Sequence, residues 1–275
     1  MHGDSADSIG LAIESPRNPL IQAIRYANQK GIAMENGLVV IEGPHLLEEA
    51  FDSEWRVEQM LVASSGVAKW AELTSLFTSQ SGCMATIVSD RAFETAAETQ
   101  HSQGVLGLVC PREWTWAEVM GGSRLVLVLD GVRDPGNAGT VLRSAEAFGA
   151  SGVVALEGSV QFTNGKLLRA AAGSVFRLPL MARVSADTLA QRLRSSGFTL
   201  FGLAREARNT LFETDFQQPC ALVVGNEGAG LSNEVKHLIE PIAIPTQRVE
   251  SLNAAVACSI ALFEAARQRS RKEGG

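Results

Sequence analysis

The chain has 275 residues, of which 45% are hydrophobic and 20% are charged, and its formal net charge is −6. A chain of this length and composition forms one large or two ordinary globular domains with a buried core. The acidic balance disfavours non-specific binding to nucleic acid, which depends on neutralising phosphates. The longest apolar runs, such as residues 125–129, are far too short to cross a bilayer, so we expect no membrane partner.

The N-terminus and the cysteines indicate the compartment. The first ten residues, MHGDSADSIG, carry acids and lack the basic flank and apolar stretch of a signal peptide. Four cysteines are present, namely Cys83, Cys110, Cys220 and Cys258. They are far apart, show no CxxC spacing and have no neighbouring histidine cluster, so we expect buried, reduced thiols and no metal site. Together these features predict a cytoplasmic protein.

Candidate strands and helices alternate along residues 1–113. The predicted strands are residues 37–43, 57–63, 83–89 and 104–110, and the predicted helices are Pro19–Lys30, Pro44–Phe51, 68–79 and 90–98. This alternation favours a small α/β domain. The segment carries seven Lys and Arg against fifteen Asp and Glu, a net charge of −8, whereas residues 114–275 carry a net charge of +2.

Residues 114–123, WTWAEVMGGS, interrupt the alternation and end in a Gly-Gly pair that is typical of a hinge. We therefore predict a first domain over residues 1–113, a linker over 114–123 and a second domain over 124–275.

The second segment alternates more regularly. Its predicted strands are residues 125–129, 152–156, 176–181, 198–204, 220–225 and 241–245. Its predicted helices are one after the first strand with Gly149 as C-cap, and then residues 187–195, 232–239 and 252–269. Short, continuous apolar runs suit a parallel sheet that is covered on both faces.

Three polar loops follow strands of this sheet, where open parallel sheets bind ligands. The first loop contains Asn137 and leads into a helix that carries Arg143. It lacks the GxGxxG pattern of a dinucleotide loop and the GxxxxGK[ST] pattern of a P-loop. An arginine near a helix N-terminus suits an anion. Taken alone, however, this pattern favours an exposed surface arginine.

The second loop, GNEGAGLS, spans residues 225–232. Its glycines allow the backbone to approach a ligand closely. Glu227 within it is either a solvated carboxylate or a hydrogen-bond acceptor for a ligand or a catalytic partner. The third loop ends in Ser251-Leu252-Asn253, where Ser251 is either a helix N-cap or part of a site. The three loops together favour a functional site.

In order and approximate spacing, these loops resemble the three motifs of the SpoU-type RNA ribose 2′-O-methyltransferases of the SPOUT superfamily. The matching residues are Asn137-x-Gly139-x-x-x-Arg143, Gly225-Asn226-Glu227-Gly228-x-Gly230-Leu231, and Ile244-Pro245 with Glu250-Ser251-Leu252-Asn253. The resemblance covers residues 124–270. Residues 15–50 resemble, more loosely, the substrate-binding domain that often precedes this catalytic domain and has a ribosomal L30e-like α/β fold.

The resemblance implies a C-terminal parallel-sheet domain closed by a deep trefoil knot, which hydrophobic periodicity alone does not predict because threaded chains are rare. It implies that S-adenosyl-L-methionine binds in the knot, and that the protein is a homodimer in which the partner's first motif completes each site. The cofactor-binding residues carried over from the family are Leu203, Gly225, Ile244 and Leu252.

The resemblance assigns five polar residues to the catalytic site, namely Asn137, Arg143, Glu227, Ser251 and Asn253. Arg143 acts as the base or orients the ribose hydroxyl, and its very high pKa favours positioning and electrostatic stabilisation. Asn137 and Glu227 orient Arg143 or the ribose. Ser251 and Asn253 hold the ribose-phosphate and shape the cofactor loop. The reaction requires no metal.

The predicted function is S-adenosylmethionine-dependent 2′-O-methylation of a ribose in structured RNA. The additional N-terminal domain favours ribosomal RNA, by analogy at the level of the fold. The alternatives are a tRNA ribose 2′-O-methyltransferase and a non-catalytic RNA-binding or assembly protein that retains the knot. On the acidic N-terminal segment, either a local patch with Arg17, Arg25 and Lys30 binds the RNA or the catalytic dimer makes most of the contact. Arg169 and Arg177 are further candidates for phosphate contacts, with structural roles as the equal alternative.

Overall fold

The computed structural model of the chain describes residues 9–80 and 82–270. The prediction that the N-terminus is not a signal peptide concerns mainly residues 1–8, and these residues lie outside the described range. Two compact units are present, one formed by Met1–Glu113 with Thr163–Arg169 and the other by Trp114–Phe162 with Ala170–Gly275.

The first unit is a five-stranded mixed sheet with helices. Its strands are β1 (Ile9–Ile13), β2 (Val39–Glu42), β3 (Arg56–Ala63), β4 (Met84–Val88) and β5 (Val105–Cys110). Its helices are α1 (Pro19–Lys30), α2 (Pro44–Phe51), α3 (Ala71–Gln80) and α4 (Asp90–Ala96). The strand order is β1-β4-β3-β5-β2, in which β1, β4 and β3 are parallel and β5 pairs antiparallel with β3 and β2.

Local signals account for the bounds of α1. The Asn18 side chain accepts a hydrogen bond from the Leu20 amide, and Pro19 occupies the first helical position. Gly31 ends the helix in the left-handed region with φ of 64°. Ile21 and Ile24 are fully buried against the sheet, so α1 contributes to the core of this unit.

The second unit is a seven-stranded sheet in which every described pairing is parallel. Its strands are β6 (Leu125–Asp130), β7 (Gly152–Leu156), β8 (Leu180–Val184), β9 (Thr199–Leu203), β10 (Asn209–Thr210), β11 (Cys220–Gly225) and β12 (Glu240–Ala243). The order in the sheet is β10-β12-β9-β11-β6-β7-β8. The central strands β6 and β11 are buried along their whole length. The α/β class and the parallel sheet predicted from the sequence are therefore confirmed.

Helices flank this sheet. They are α5 (Trp116–Val119), α6 (Pro135–Ala147), α8 (Ser174–Arg177), α9 (Ala186–Ser195), α10 (Asn233–Lys236) and α11 (Ala254–Ser270). The helix α7 (Gly165–Ala171) lies mostly in the segment Thr163–Arg169, which belongs to the first unit. α6 begins where the Asp134 side chain accepts a hydrogen bond from the Asn137 amide. It ends at Phe148, and Gly149 follows with φ of 73°.

Several predicted elements differ from the structure. Residues 176–181 do not form one strand, because residues 174–177 belong to α8 and β8 starts only after Pro179. The apolar run therefore comprises the end of a helix and the start of a strand. β1, β10, α5 and α7 had no counterpart among the predicted elements, because each is short or lacks a clear hydrophobic period. α10 is shorter than predicted, and α11 starts two residues later.

The thiols are buried or half-buried and all four are free. Burial raises the pKa of the Cys258 thiol to about 12 and the pKa values of Cys83 and Cys220 to about 11. Within residues 9–80 and 82–270, no group of three or more His, Cys, Asp or Glu residues is placed to hold a metal ion. Along the same residues, no helix combines the length and the apolar character that a membrane span needs.

Candidate active site

A cavity of about 300 Å³ lies beyond the carboxyl ends of the neighbouring strands β9, β11 and β12. Its wall is formed by the loops that follow these strands and by the start of α11. The four residues predicted to bind the cofactor, Leu203, Gly225, Ile244 and Leu252, all line it, as do Glu227 and Ser251. The sheet therefore brings residues from three separate loops to one hollow.

The glycine-rich loop after β11 folds back tightly on itself. The amides of Asn226 and Gly230 each donate to the other residue's carbonyl, at 3.0 and 2.9 Å. Gly225 has no room for a side chain, because a Cβ there would lie 2.4 Å from the carbonyl carbon of Gly230. The side-chain nitrogen Nδ2 of Asn226 donates to the Gly131 carbonyl at 3.0 Å, which anchors the loop to the segment after β6. The wall of the cavity at this point is therefore backbone.

A chain of side-chain hydrogen bonds joins the three sequence motifs. Asn137 Nδ2 at the start of α6 donates to Glu227 Oε1 at 2.7 Å. Asn253 Nδ2 donates to Asn137 Oδ1 at 3.1 Å. The amide of Asn137 thus bridges the loop after β11 and the loop before α11. These two hydrogen bonds hold the loop after β11 and the loop before α11 against the start of α6.

Ser251 and Asn253 differ in their local roles. Asn253 Oδ1 accepts hydrogen bonds from the amides of Ala255 and Val256 at 2.9 and 3.2 Å, so Asn253 caps α11. The alternative in which Ser251 is the N-cap is therefore wrong, since the helix starts three residues later. Ser251 is exposed and lines the cavity.

Arg143 lies apart from this network. It is exposed on α6, and in the part of the chain that the structure describes it makes no hydrogen bond or ion pair and does not line the cavity. Two further candidates for phosphate contacts are engaged within the chain. Arg169 pairs with Glu98 at 2.8 Å, and Arg177 pairs with Glu146. The remaining basic candidates on the first unit are exposed, namely Arg17, Arg25 and Lys30.

Two charged residues near the cavity, Asp130 and Arg205, were not predicted from the sequence, whereas Glu250 belongs to the third motif. Asp130, the buried last residue of β6, accepts a hydrogen bond from the Ser232 amide at 2.6 Å and so holds the far end of the glycine-rich loop. Arg205 and Glu250 form an ion pair on the lining. The sequence signal that could have identified Asp130 is its position as a charged residue directly after the apolar run 125–129. No sequence signal pairs Arg205 with Glu250.

Comparison with known proteins agrees with this architecture. Residues 124–263 match the SpoU rRNA Methylase family, and residues 18–107 match the MRM3-like substrate binding domain. An uncharacterized tRNA/rRNA methyltransferase of Synechocystis is 34% identical over 271 residues, which cover 94% of each chain. The 23S rRNA (guanosine(2553)-2′-O)-methyltransferase RlmP of Bacillus subtilis is 31% identical over 253 residues, covering 91% of this chain and 97% of the relative.

Solved structures with similar folds include enzymes with a bound cofactor. The AdoMet-bound rRNA methyltransferase of Sinorhizobium meliloti superposes with a TM-score of 0.82 at 28% identity, covering 94% of this chain and 98% of that one. The SpoU methyltransferase AviRb of Streptomyces viridochromogenes in complex with AdoMet gives 0.81 at 26% identity, covering 92% and 99%. The fold is thus that of an α/β methyltransferase. The chain belongs to the SpoU rRNA methylase family.

Proposed function

We propose that the protein is an S-adenosylmethionine-dependent methyltransferase that methylates a ribose 2′-oxygen in ribosomal RNA. The observation that carries this proposal is the hydrogen-bonded bridge from Glu227 through Asn137 to Asn253, which joins all three motif loops beside one cavity. One relative that matches 91% of this chain is named as a 23S rRNA 2′-O-methyltransferase, which favours ribosomal RNA over tRNA.

The cavity fits the cofactor in volume and chemistry. Its volume of about 300 Å³ is at the lower end of the range for small-molecule sites, roughly 300–1,000 Å³. Leu203, Ile244 and Leu252 offer apolar surface to a nucleobase, and the glycine-rich loop offers backbone donors and acceptors. When bound, S-adenosylmethionine would supply a sulfonium methyl group for the ribose oxygen; the transfer would release the hydroxyl proton to solvent water and leave S-adenosylhomocysteine.

Arg143 positions the reacting ribose. Its guanidinium is exposed and has no partner among the described residues, so it is available to RNA. A guanidinium binds a phosphate through two parallel hydrogen bonds and stays protonated, so it orients the nucleotide and stabilises developing negative charge. Asn137 and Glu227 hold the helix that carries Arg143 against the cofactor loop. Ser251 contacts the ribose-phosphate from the cavity side.

The protein acts as a homodimer, and each site takes Arg143 from the partner subunit. Arg143 does not line the cavity of its own chain, which supports this arrangement. On α11, Val256, Ile260 and Phe263 recur at a spacing of four and three residues and are 48%, 37% and 55% exposed. α11 packs against α6, the helix of Arg143. Pairing two copies through α11 buries this apolar stripe.

The end of the second unit is threaded into a deep trefoil knot. The path of the chain supports this proposal. β12 inserts between β9 and β10, and the chain then returns through the loop before α11 to pack on β11 and α6. The cavity lies where these segments meet.

The first unit is an L30e-like module that contacts the RNA substrate. The match to a substrate binding domain over residues 18–107 supports this role. Its overall charge is acidic, but α1 has no acidic residue and presents Arg25, Lys30 and an exposed Tyr26. Cations and an aromatic ring on one helix suit phosphates and unstacked bases. The two domains comprise residues 1–113 and 124–275, and residues 114–123 form the linker between them. The protein works in the cytoplasm, where ribosomal RNA is found.

Transfer of labelled methyl groups tests this function. Wild-type protein incubated with labelled S-adenosylmethionine should methylate ribosomal RNA that lacks the modification, and should leave purified tRNA unlabelled. Arg143→Ala should lower transfer at least about 100-fold. It should bind S-adenosylhomocysteine normally, because Arg143 is not on the cavity wall.

Arg192→Ala is the matched control, because Arg192 is an exposed arginine on α9 away from the motifs. If tRNA is labelled and ribosomal RNA is not, the protein is a tRNA ribose 2′-O-methyltransferase. If the cofactor binds but no RNA is labelled, the protein is a non-catalytic RNA-binding or assembly protein.

A further inference from the structure

The rim of the cavity carries one ion pair. Arg205 Nη2 lies 3.2 Å from Glu250 Oε2. Both residues line the cavity, yet their side chains are 60% and 90% exposed, so the pair lies at the opening and not on the floor. Arg205 comes two residues after the end of β9, and Glu250 belongs to the loop before α11. The pair therefore connects the two loops across the opening.

Arg205 is the one cationic residue on the described lining of this cavity. The other charged lining residues are the carboxylates Glu227 and Glu250. The base of the Arg205 loop is fixed, because the Ala204 amide donates to the Ile242 carbonyl at 3.0 Å. The Arg205 guanidinium therefore extends from an anchored backbone at the opening of the cavity.

The cofactor has one group that matches this cation. S-adenosylmethionine carries its adenosine at one end and an amino-acid group at the other, and the α-carboxylate is its only anionic group. We propose that Arg205 binds this carboxylate, and that Glu250 occupies the guanidinium when the cavity is free. This inference rests on the proposed function, because it takes S-adenosylmethionine as the occupant of the cavity.

The energetics favour such an exchange of partners. An ion pair between exposed side chains contributes little, so Arg205 leaves Glu250 at small cost. The cofactor's carboxylate would present two oxygens to the planar guanidinium, which strengthens the contact. Arg205 therefore selects ligands with a carboxylate, whereas Leu203 and Ile244 bind any adenosine.

Two nucleosides that differ only in this carboxylate test the inference. Calorimetry on the full chain compares S-adenosylmethionine with decarboxylated S-adenosylmethionine. Wild type should bind the former about tenfold more tightly, as expected for one charge-assisted contact. Arg205→Gln should lose this preference, because its affinity for S-adenosylmethionine falls while its affinity for the decarboxylated compound stays the same. Glu250→Gln should keep the preference, because Arg205 remains.

Arg208→Gln is the control, because it removes an exposed arginine three residues along that does not line the cavity. It should bind both compounds as wild type does. If Arg205→Gln keeps the wild-type preference, or weakens both compounds equally, the carboxylate contact is refuted and the proposed function stands. If wild type binds neither compound, the proposed function fails and this inference fails with it.

Discussion

Replacing Gly225 by alanine should deform the glycine-rich loop. A Cβ at this position would lie 2.4 Å from the carbonyl carbon of Gly230, 2.5 Å from its oxygen and 2.6 Å from the Leu231 amide nitrogen. All three atoms are backbone, so no side chain can rotate away, and relief needs a shift of about 1 Å. Overpacking of this kind costs about 1–3 kcal/mol. We expect a loss of about 2–3 kcal/mol, which lowers Tm by roughly 4–12 °C.

The same shift moves the wall of the cavity, so the affinity for S-adenosylhomocysteine should fall about tenfold or more. Thermal unfolding and calorimetry measure the two effects on one preparation. Gly228→Ala is the matched control in the same loop, because its Cβ would meet only the Asn226 side-chain oxygen, at 3.6 Å. It should change stability by less than about 0.5 kcal/mol. If Gly225→Ala behaves like this control, the close approach described for the loop is refuted.

Three further predictions concern stability and reactivity. Arg269→Ala removes hydrogen bonds to three backbone carbonyls and should lower the free energy of unfolding in urea by about 2–4 kcal/mol. Arg177 lowers the pKa of the Glu146 carboxyl, so the stabilisation lost in Glu146→Gln should be present at pH 7 and should vanish as the pH falls below about 4. Burial raises the pKa of Cys258 to about 12, so iodoacetamide at pH 8 should modify Cys110 and spare Cys258, as read by mass spectrometry.

A contrary result is defined for each of the three variants or reagents. Arg248→Ala removes an exposed arginine and should leave the urea midpoint unchanged, and an equal loss in both arginine variants would contradict the anchoring role. A stability gap for Glu146→Gln that persists undiminished at pH 3 would contradict the lowered pKa. Rapid alkylation of Cys258 in the folded chain would contradict its burial, whereas alkylation after unfolding in urea is expected.

Local signals predicted the parts of the fold that depend on neighbouring residues. The bounds of α1 and α2 agree with prediction because a proline starts each helix at its first position. β11 agrees with prediction because a continuous apolar run is bounded by a proline before it and a glycine-rich loop after it. The predicted strand at residues 176–181 was wrong because hydrophobic periodicity does not separate the end of a buried helix from the start of a strand.

The sequence predicted those candidate-site residues that directly follow strands. It did not predict the side-chain contacts between loops that are distant in the chain. Leu203 and Gly225 end their strands, and both line the cavity. The bond between Asn137 and Glu227 spans 90 positions in the chain, and the Arg205–Glu250 pair spans 45. Such pairs depend on strand order, which the sequence of one chain does not specify. The motifs therefore indicated the loops, and the fold determined which side chains touch.

The chemical position of the transferred methyl group tests the central claim most directly. Ribosomal RNA treated with the protein and deuterated S-adenosylmethionine is digested to nucleosides and analysed by mass spectrometry, with Arg143→Ala in parallel. We expect one deuterated methyl on a ribose fragment, absent from the Arg143→Ala sample. A methyl on the base, or equal ribose methylation by the variant, would contradict it.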